Sequence, residues 1–326
     1  MYLVVNKSDR PFFNLALEEY ALTRLGLDVI ILWRNARAVI IGCNQNAVEE
    51  VDAEFTRANG IPIVRRQSGG GAVFHDLGNV NFTVIHEMRG DDFNNYAKFT
   101  SPIIDYLATL GVRAELQGRN DLLIDGMKFC GNAQAVKKGR IMHHGCILYS
   151  ADFTDLARAL KPRSIKIESK SVKSVRKRVT NIADHMKNPI PVEDFFAGLA
   201  LYFMENSEDI TPYELTDFDI AETERLTEEK YSTWEWNFGK SPDYNVSNVR
   251  RYGYGIVETR LMVEEGMIKD AGIYGDFFGM TDKSELERRL LGLRHEREAI
   301  TASLEGFDVG ACISGMTTEE LLDLLC

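Results

Sequence analysis

The chain has 326 residues, with 38 basic against 49 acidic side chains and a formal charge of −11, and it is 44% hydrophobic and 27% charged. That length suits one large domain or two unequal ones, and the composition supports full cores, which excludes fibrous and compositionally disordered classes. Net acidity argues against a general nucleic-acid binder, which needs a broad basic surface, and apolar runs such as Val29 to Trp33 fall far short of the about 18 residues of a membrane span.

The opening MYLVVNKSDRPFFN puts its cations after a short apolar piece, the reverse of a secretory signal. Five scattered cysteines (Cys43, Cys130, Cys146, Cys312, Cys326) form no CxxC pair and read as reduced thiols. A cytoplasmic protein without membrane or nucleic-acid partners is expected.

Asn14 to Leu25 has apolar residues at helical spacing, with Asn14 as the expected N-cap. Two β-rich runs, VIILWR and AVIIG, precede a helix predicted from about Val48 to Ala58 and ended by Gly60. IPIVRRQSGGGAVFHDLGNVNFTVIHE then reads as a strand, a glycine-rich turn, and a strand with alternating Val80, Phe82 and Val84. A helix is expected over Phe93 to Leu110, short strands around Asp121 to Ile124, Lys128 to Cys130 and Cys146 to Tyr149, and a helix near Asp152 to Leu160. Connections too short for helical crossovers make this a mixed α/β, α+β domain rich in antiparallel sheet.

Helices are predicted near Val192 to Met204 and Glu222 to Tyr231. The stretch STWEWNFGKSPDYNVSN follows, and a domain boundary is placed at its end, giving 1–245 and 246–326. Ile256 to Val263 and Met267 to Tyr274 form a hairpin about the turn Glu264 to Gly266. Helical patterns at Lys283 to Leu293, His295 to Leu304 and Thr317 to Leu325 complete a small α+β module.

Three segments carry candidate chemistry. In Arg65 to Asp76, three consecutive glycines (Gly69, Gly70, Gly71) let a ligand approach backbone N–H groups, while Arg66 and Ser68 offer donors to an anion. The alternative is a plain hairpin turn, against which the two preceding arginines argue. The segment matches neither GxxxxGK[ST] nor GxGxxG. In the second segment Lys128, between Gly126 and Gly131, is a lone ammonium for an anionic ligand, and Asp121 a carboxylate for Mg²⁺; in isolation such a lysine reads as a hairpin surface residue. In the third, His143 and His144 point to opposite faces of a strand, so they do not share a metal, and one of them belongs to a pocket wall. From Lys161 to Arg178, eight basic residues face the single Glu168, a local field opposite to that of the chain.

Taken together and in order, RRQSGGGAVFHDLGNVNFT, GRNDLLIDGMKFCGNAQ, HHGCILYSADFTDLARALKP, KSVRKRVTN and WEWNFGKSP resemble lipoate–protein ligases of the lipoate–protein ligase A type. The resemblance covers nearly the whole chain from Asn14. It implies a catalytic domain of the biotin/lipoate–protein ligase fold and a C-terminal accessory domain. It also implies that Lys128 contacts both lipoate and adenylate, that Arg66, Gly71, Ala72, Val73 and Phe74 bind nucleotide and acyl group, and that Ser68, Gly69 and Gly70 belong to the lipoate loop. The basic stretch Lys170 to Asn181, Val179 included, matches the adenylate-binding loop, and Asp121 joins the nucleotide set. Arg140 and His144 are further pocket candidates. The implied substrates are ATP with Mg²⁺ and lipoate, with octanoate left open, and the partner is a lipoyl-carrier acceptor domain. A rival of the same fold, an ATP-independent octanoyl or lipoyl transferase, would use a cysteine thioester, so Cys130 and Cys146 are weighed; Cys130 reads as a small wall residue. The GRGRxG loop of biotin–protein ligases is absent.

Overall fold

The computed structural model describes residues 1–160, 178–206, 209–239 and 244–326. Most of the basic stretch and part of the aromatic linker singled out above therefore lie outside the described residues.

An eight-stranded sheet runs in the order β11 (Thr211–Pro212), β1 (Tyr2–Val5), β2 (Val29–Trp33), β6 (Asn79–Glu87), β10 (Arg140–Leu148), β9 (Met127–Lys137), β8 (Asp121–Ile124), β7 (Glu115–Gln117). β1 is parallel to β2 and β11, and every other pair is antiparallel. A smaller sheet, β4 (Ile63–Arg65), β3 (Ala38–Ile41) and β5 (Val73–His75), carries the glycine-rich segment between its outer strands.

Helices α4 (Tyr96–Thr109) and α6 (Val192–Glu205) cover one face of the large sheet, where Phe99, Ile103, Phe195 and Leu199 pack on Phe82, Phe129 and Ile141. Helix α1 (Pro11–Tyr20) covers the other, burying Phe13, Leu17 and Tyr20 against Ile31 and Trp33. Asn14 is not its N-cap. Pro11 occupies the first turn, where a missing N–H costs nothing, and Asn14 sits inside the helix, buried, its amide spent on the Arg34 carbonyl at 2.9 Å and on Asn35 at 2.8 Å. The helix expected from Val48 to Ala58 is likewise two pieces, α2 (Ala47–Glu50) and α3 (Ala53–Ala58), because Asp52 leaves the helix to cap the Phe55 N–H. Helices α5 (Phe153–Ala159), α7 (Asp217–Leu226) and α8 (Trp234–Asn237) complete this part.

Beyond residue 244, β12 (Val246–Tyr252), β13 (Gly255–Glu264) and β14 (Met267–Gly275) form a meander. Its second turn places Glu265 and Gly266 at φ 50° and 75°, the left-handed pair a tight hairpin demands. Helices α9 (Ser284–Leu290), α10 (Arg297–Ser303), α11 (Val309–Cys312) and α12 (Thr318–Leu325) close over it, with Val257, Leu261, Ile273, Leu286 and Leu321 in a separate core. This module leans on the rest of the chain at three places: the glycine-rich loop, where Gly70 N–H donates to Phe277 O at 3.4 Å, the turn after β3, where Gly275 N–H donates to Asn44 O at 2.9 Å, and the turn after β7, where Arg119 Nη1 donates to Tyr254 O at 2.6 Å. No helix among the described residues is long and apolar enough to cross a membrane.

Candidate active site

Register places the functional side chains. Directly opposed residues in neighbouring strands share a face, so Trp33, Asn81, Cys146, Gly131 and Asp121 form one row across β2, β6, β10, β9 and β8. The next row is Ile31, Thr83, His144 and Ala133. These rows floor a cleft whose roof comes from the small sheet, where Ile40 pairs with Val73 and Ala38 with His75. The cleft holds about 600 Å³, solvent at its mouth included, and is bounded also by Arg66, Gly70, Gly71, Lys128 and Phe278.

Lys128 and Gly131 are three residues apart, which in a regular strand sets them on opposite faces. Here Lys128 pairs with Leu123 and Cys130 with Leu122, leaving Phe129 as the extra residue of a bulge. Phe129 and Cys130 both enter the core, and Lys128 emerges on the cleft side with Gly131. A β-carbon on Gly131 would lie 2.8 Å from the ammonium, so glycine is what lets the lysine arch inward. Its Nζ meets Asp121 Oδ1 at 2.7 Å. Val179 bridges to the same residue, with Lys128 N–H donating to Arg178 O and Thr180 N–H to Lys128 O, each at 2.9 Å. The far end of the basic stretch is thereby stitched beside the lysine.

Arg66 holds the glycine-rich loop in shape. Its Nε donates to Ser68 Oγ at 2.9 Å, and its Nη2 to the Gly69 and Gly71 carbonyls at 2.5 and 3.0 Å. Burial lowers this guanidinium to about 10, which leaves it cationic at neutral pH. Gly42 makes room for the loop, since a β-carbon there would strike Gly70 O at 2.1 Å. Ser68 does not open onto the cleft. Its hydroxyl meets His144 Nε2 at 2.7 Å, and His144 Nδ1 meets Glu18 at 2.8 Å. Phe74 alternates away from Val73 and His75, its ring buried with Val39 and Ile41 and with Ala72 packed at the edge, so that residue offers a ligand only backbone. Arg140, at the far end of β10, donates to Leu27 O and Asp28 and is no part of the cleft.

His143 stands on the opposite face, its ring stacked 4.6 Å from Phe99, and burial holds it neutral, well below the usual imidazole range. His75 is pushed down to about 3 by burial and then by Arg66. Asn35 donates to its Nδ1 at 3.0 Å, which puts the ring proton on Nε2.

Neither cysteine is a nucleophile. Cys130 lies in the core away from the cleft, its thiol raised well above its usual range by burial. Cys146 faces the cleft but accepts from Asn79 Nδ2 at 3.1 Å, and burial raises its thiol to about 12.

Among the described residues, no group of three or more His, Cys, Asp or Glu is placed to hold a metal ion. Mg²⁺ keeps most of its water and phosphate ligands and needs only one or two carboxylates. Asp121 supplies one beside Lys128, so the donor set fits an ion that arrives with phosphates.

Trp33, His75, Asn81 and Glu18 were not singled out from sequence, nor was Phe278, which reaches the cleft from the C-terminal module with Arg119 stacked on its ring at 4.4 Å. For the strand residues a signal existed: Asn79, Asn81 and Thr83 are the polar alternates of Val80, Phe82 and Val84, but only the strand's central position shows that both faces are buried.

Residues 10–204 match the family model of the lipoyl protein ligase A/B catalytic domain, and residues 241–325 that of the bacterial lipoate protein ligase C-terminus. The chain belongs to the lipoate–protein ligase family, and it is a ligase. It is 41% identical over 319 residues to the lipoate-protein ligase LplJ of Bacillus subtilis, covering 97% of this chain and 96% of the relative. With lipoate–protein ligase 1 of Staphylococcus aureus it shares 39% over 322 residues, 98% of each chain. Among solved structures it is similar to P. falciparum LipL1 in complex with lipoate, at 25% identity and a TM-score of 0.78 over 99% of this chain and 96% of that one. A lipoate-protein ligase A bound with ATP gives 29% identity and 0.63 over 73% and 98%. The archaeal bipartite ligase described with its E2 lipoyl domain gives 31% and 0.65 over 75% and 98%. The α+β architecture with a small C-terminal sheet module is that of lipoate–protein ligases.

Proposed function

We propose that this chain is an ATP-dependent lipoate–protein ligase that forms lipoyl-AMP with release of pyrophosphate, then passes the lipoyl group to a lysine of a lipoyl-carrier domain. The observation that carries this reading is Lys128 arching over Gly131 into the cleft, where the glycine-rich loop and the Val179 segment converge.

In the first step a lipoate carboxylate oxygen attacks the α-phosphorus of ATP and pyrophosphate leaves. Two anions must meet, and a cation already in place lowers that barrier without reorganisation. Lys128 is that cation, exchanging Asp121 for the carboxylate and then the adenylate. Arg66 adds positive charge and holds Gly69 to Gly71 in shape at the edge of the cleft. Gly71, Ala72, Val73 and the Phe74 backbone border the nucleotide, with Val179 beside it. Asp121 would hold a Mg²⁺ brought with the nucleotide, and that ion would neutralise the phosphates. In the second step the acceptor amine attacks the lipoyl carbonyl, an amide forms and AMP leaves, with no covalent enzyme intermediate. Cys130, buried away from the cleft, and Cys146, whose thiol is pushed up to about 12, argue against the thioester transferase.

We assign residues 1–245 to catalysis and 246–326 to an accessory domain that swings against it between steps, hinged on the linker. Scattering profiles with and without lipoate and ATP test this, and one unchanged profile contradicts it. Five unpaired cysteines support a cytoplasmic location. The ligase reading is tested by ATP–pyrophosphate exchange with and without lipoate, together with the mass of a purified lipoyl domain. Lipoate-dependent exchange plus a lipoyl mass increase is expected, whereas ATP-independent transfer from an acylated carrier would replace the ligase with the transferase.

A further inference from the structure

Asn81 lies on the cleft floor, 1% exposed, and neither its Nδ2 nor its Oδ1 has a hydrogen-bond partner among the described residues. Its polar neighbours on the floor are matched. Thr83 accepts from Trp33 Nε1 at 2.9 Å and donates to Glu18 at 2.6 Å; His144 is held by Glu18 and Ser68, and Cys146 by Asn79. A buried amide left with both a donor and an acceptor unmet is costly, and native structures keep such groups where something else satisfies them.

Position says what that is. Asn81 pairs with Cys146, and Cys146 with Gly131, over which the Lys128 ammonium sits. Asn81 is therefore two strands from the cation, about 10 Å at ordinary strand spacing. On the far side its register partner is Trp33. An acid whose carboxylate is held at Lys128 and whose extended pentanoyl chain crosses β10 brings its other end over Asn81, against the Trp33 and His75 ring pair, whose centroids lie 5.9 Å apart. In lipoate that end is the sulfur-bearing ring.

We propose that Asn81 is a specificity-determining residue that reads the sulfur end of the acid and ranks lipoate above octanoate. This rests on the ligase reading above. Nδ2–H donates to a ring sulfur, a weak acceptor, and in the reduced acid Oδ1 accepts from a thiol, a weak donor. Octanoate presents only hydrocarbon there and leaves the amide desolvated and unpaired, so the site rejects it by what it fails to satisfy. Because sulfur bonds are weak, the preference is modest, roughly tenfold.

The test is calorimetric binding of lipoate and of octanoate to wild type, Asn81→Leu and Asn81→Ser, with lipoate-dependent ATP–pyrophosphate exchange measured on the same samples. Wild type is expected to favour lipoate, Asn81→Leu to lower the lipoate-to-octanoate affinity ratio about tenfold, octanoate gaining as lipoate loses, and Asn81→Ser to fall between. Both acids are read on one preparation, so a partly folded variant does not move the ratio. Equal affinities in wild type, or an unmoved ratio in Asn81→Leu, overturn the inference. Absence of exchange in wild type overturns the ligase reading instead, while the affinity ratio still decides the role of Asn81.

Discussion

Two adjacent histidines on β10 open onto different chemistries. His143 faces the layer under α4, stacked on Phe99 among aromatic rings, and holds no charge. His144, one residue on, faces the cleft and links Glu18 to Ser68. Strand alternation alone separates the two, so a single strand supplies core packing from one face and a cleft wall from the other. Damage to the first face should appear as lost fold, and damage to the second as lost chemistry in a folded protein.

The largest effect is expected on the cleft face. Lys128→Ala should cut lipoyl-AMP formation at least about a hundredfold to a thousandfold, the scale of losing one pre-positioned charge, with the melting temperature little changed. Near-normal lipoyl-AMP yield from the folded variant would refute its placement at the reacting carboxylate. His144→Ala takes one hydrogen bond each from Glu18 and Ser68, which keep Thr83 and Arg66, and opens the cleft wall. Lipoate titration should show affinity lowered by roughly tenfold or less; unaltered affinity would detach this chain of contacts from the cleft.

Two buried histidines answer to pH, His143 on the face under α4 and His75 in the cleft roof: both have native pKa values below the unfolded value of about 6.5. Below that pH the unfolded chain takes up protons that the native state refuses, so this stability is present above about pH 6.5 and lost as pH falls, about 1.4 kcal/mol per pH unit per histidine. For His75 the loss continues towards about pH 3, where the native ring protonates. Urea midpoints should fall from pH 7 to 5, and His143→Phe should make that fall shallower by about one proton. An identical slope in the variant would contradict a neutral buried His143. The smallest effect on activity is expected from Cys130→Ser, which lowers stability by about 1–3 kcal/mol by burying a hydroxyl in the core but should leave ATP-dependent lipoylation by the folded variant within about twofold; abolished acyl transfer by a folded variant would revive the thioester route.

The contiguous motifs were legible in the sequence. The glycine run behind two arginines and the C-terminal hairpin announce themselves within a few residues, because backbone freedom and turn chemistry are local properties, whereas Lys128 stands out only through the resemblance of the ordered motifs. Asn81 was not legible, since the alternation of Val80, Phe82 and Val84 marks only one buried face of its strand. The small sheet and α1, stacked over the other face, are what enclose it. The emergence of Lys128 on the cleft side depends on a bulge that composition does not reveal, and Phe278 belongs to the cleft only because a distant module folds back across Gly69 and Gly70. Arg66 was legible as a cation, but not as a brace: its donors go to the loop's own carbonyls.

Gly70 and Phe278 bring two separately cored modules to one cleft wall. A molecule seated there would lose contacts when either module melted, so by mass action it would raise both transitions and draw two cooperative units towards one. Its departure would then loosen the hold on the small module.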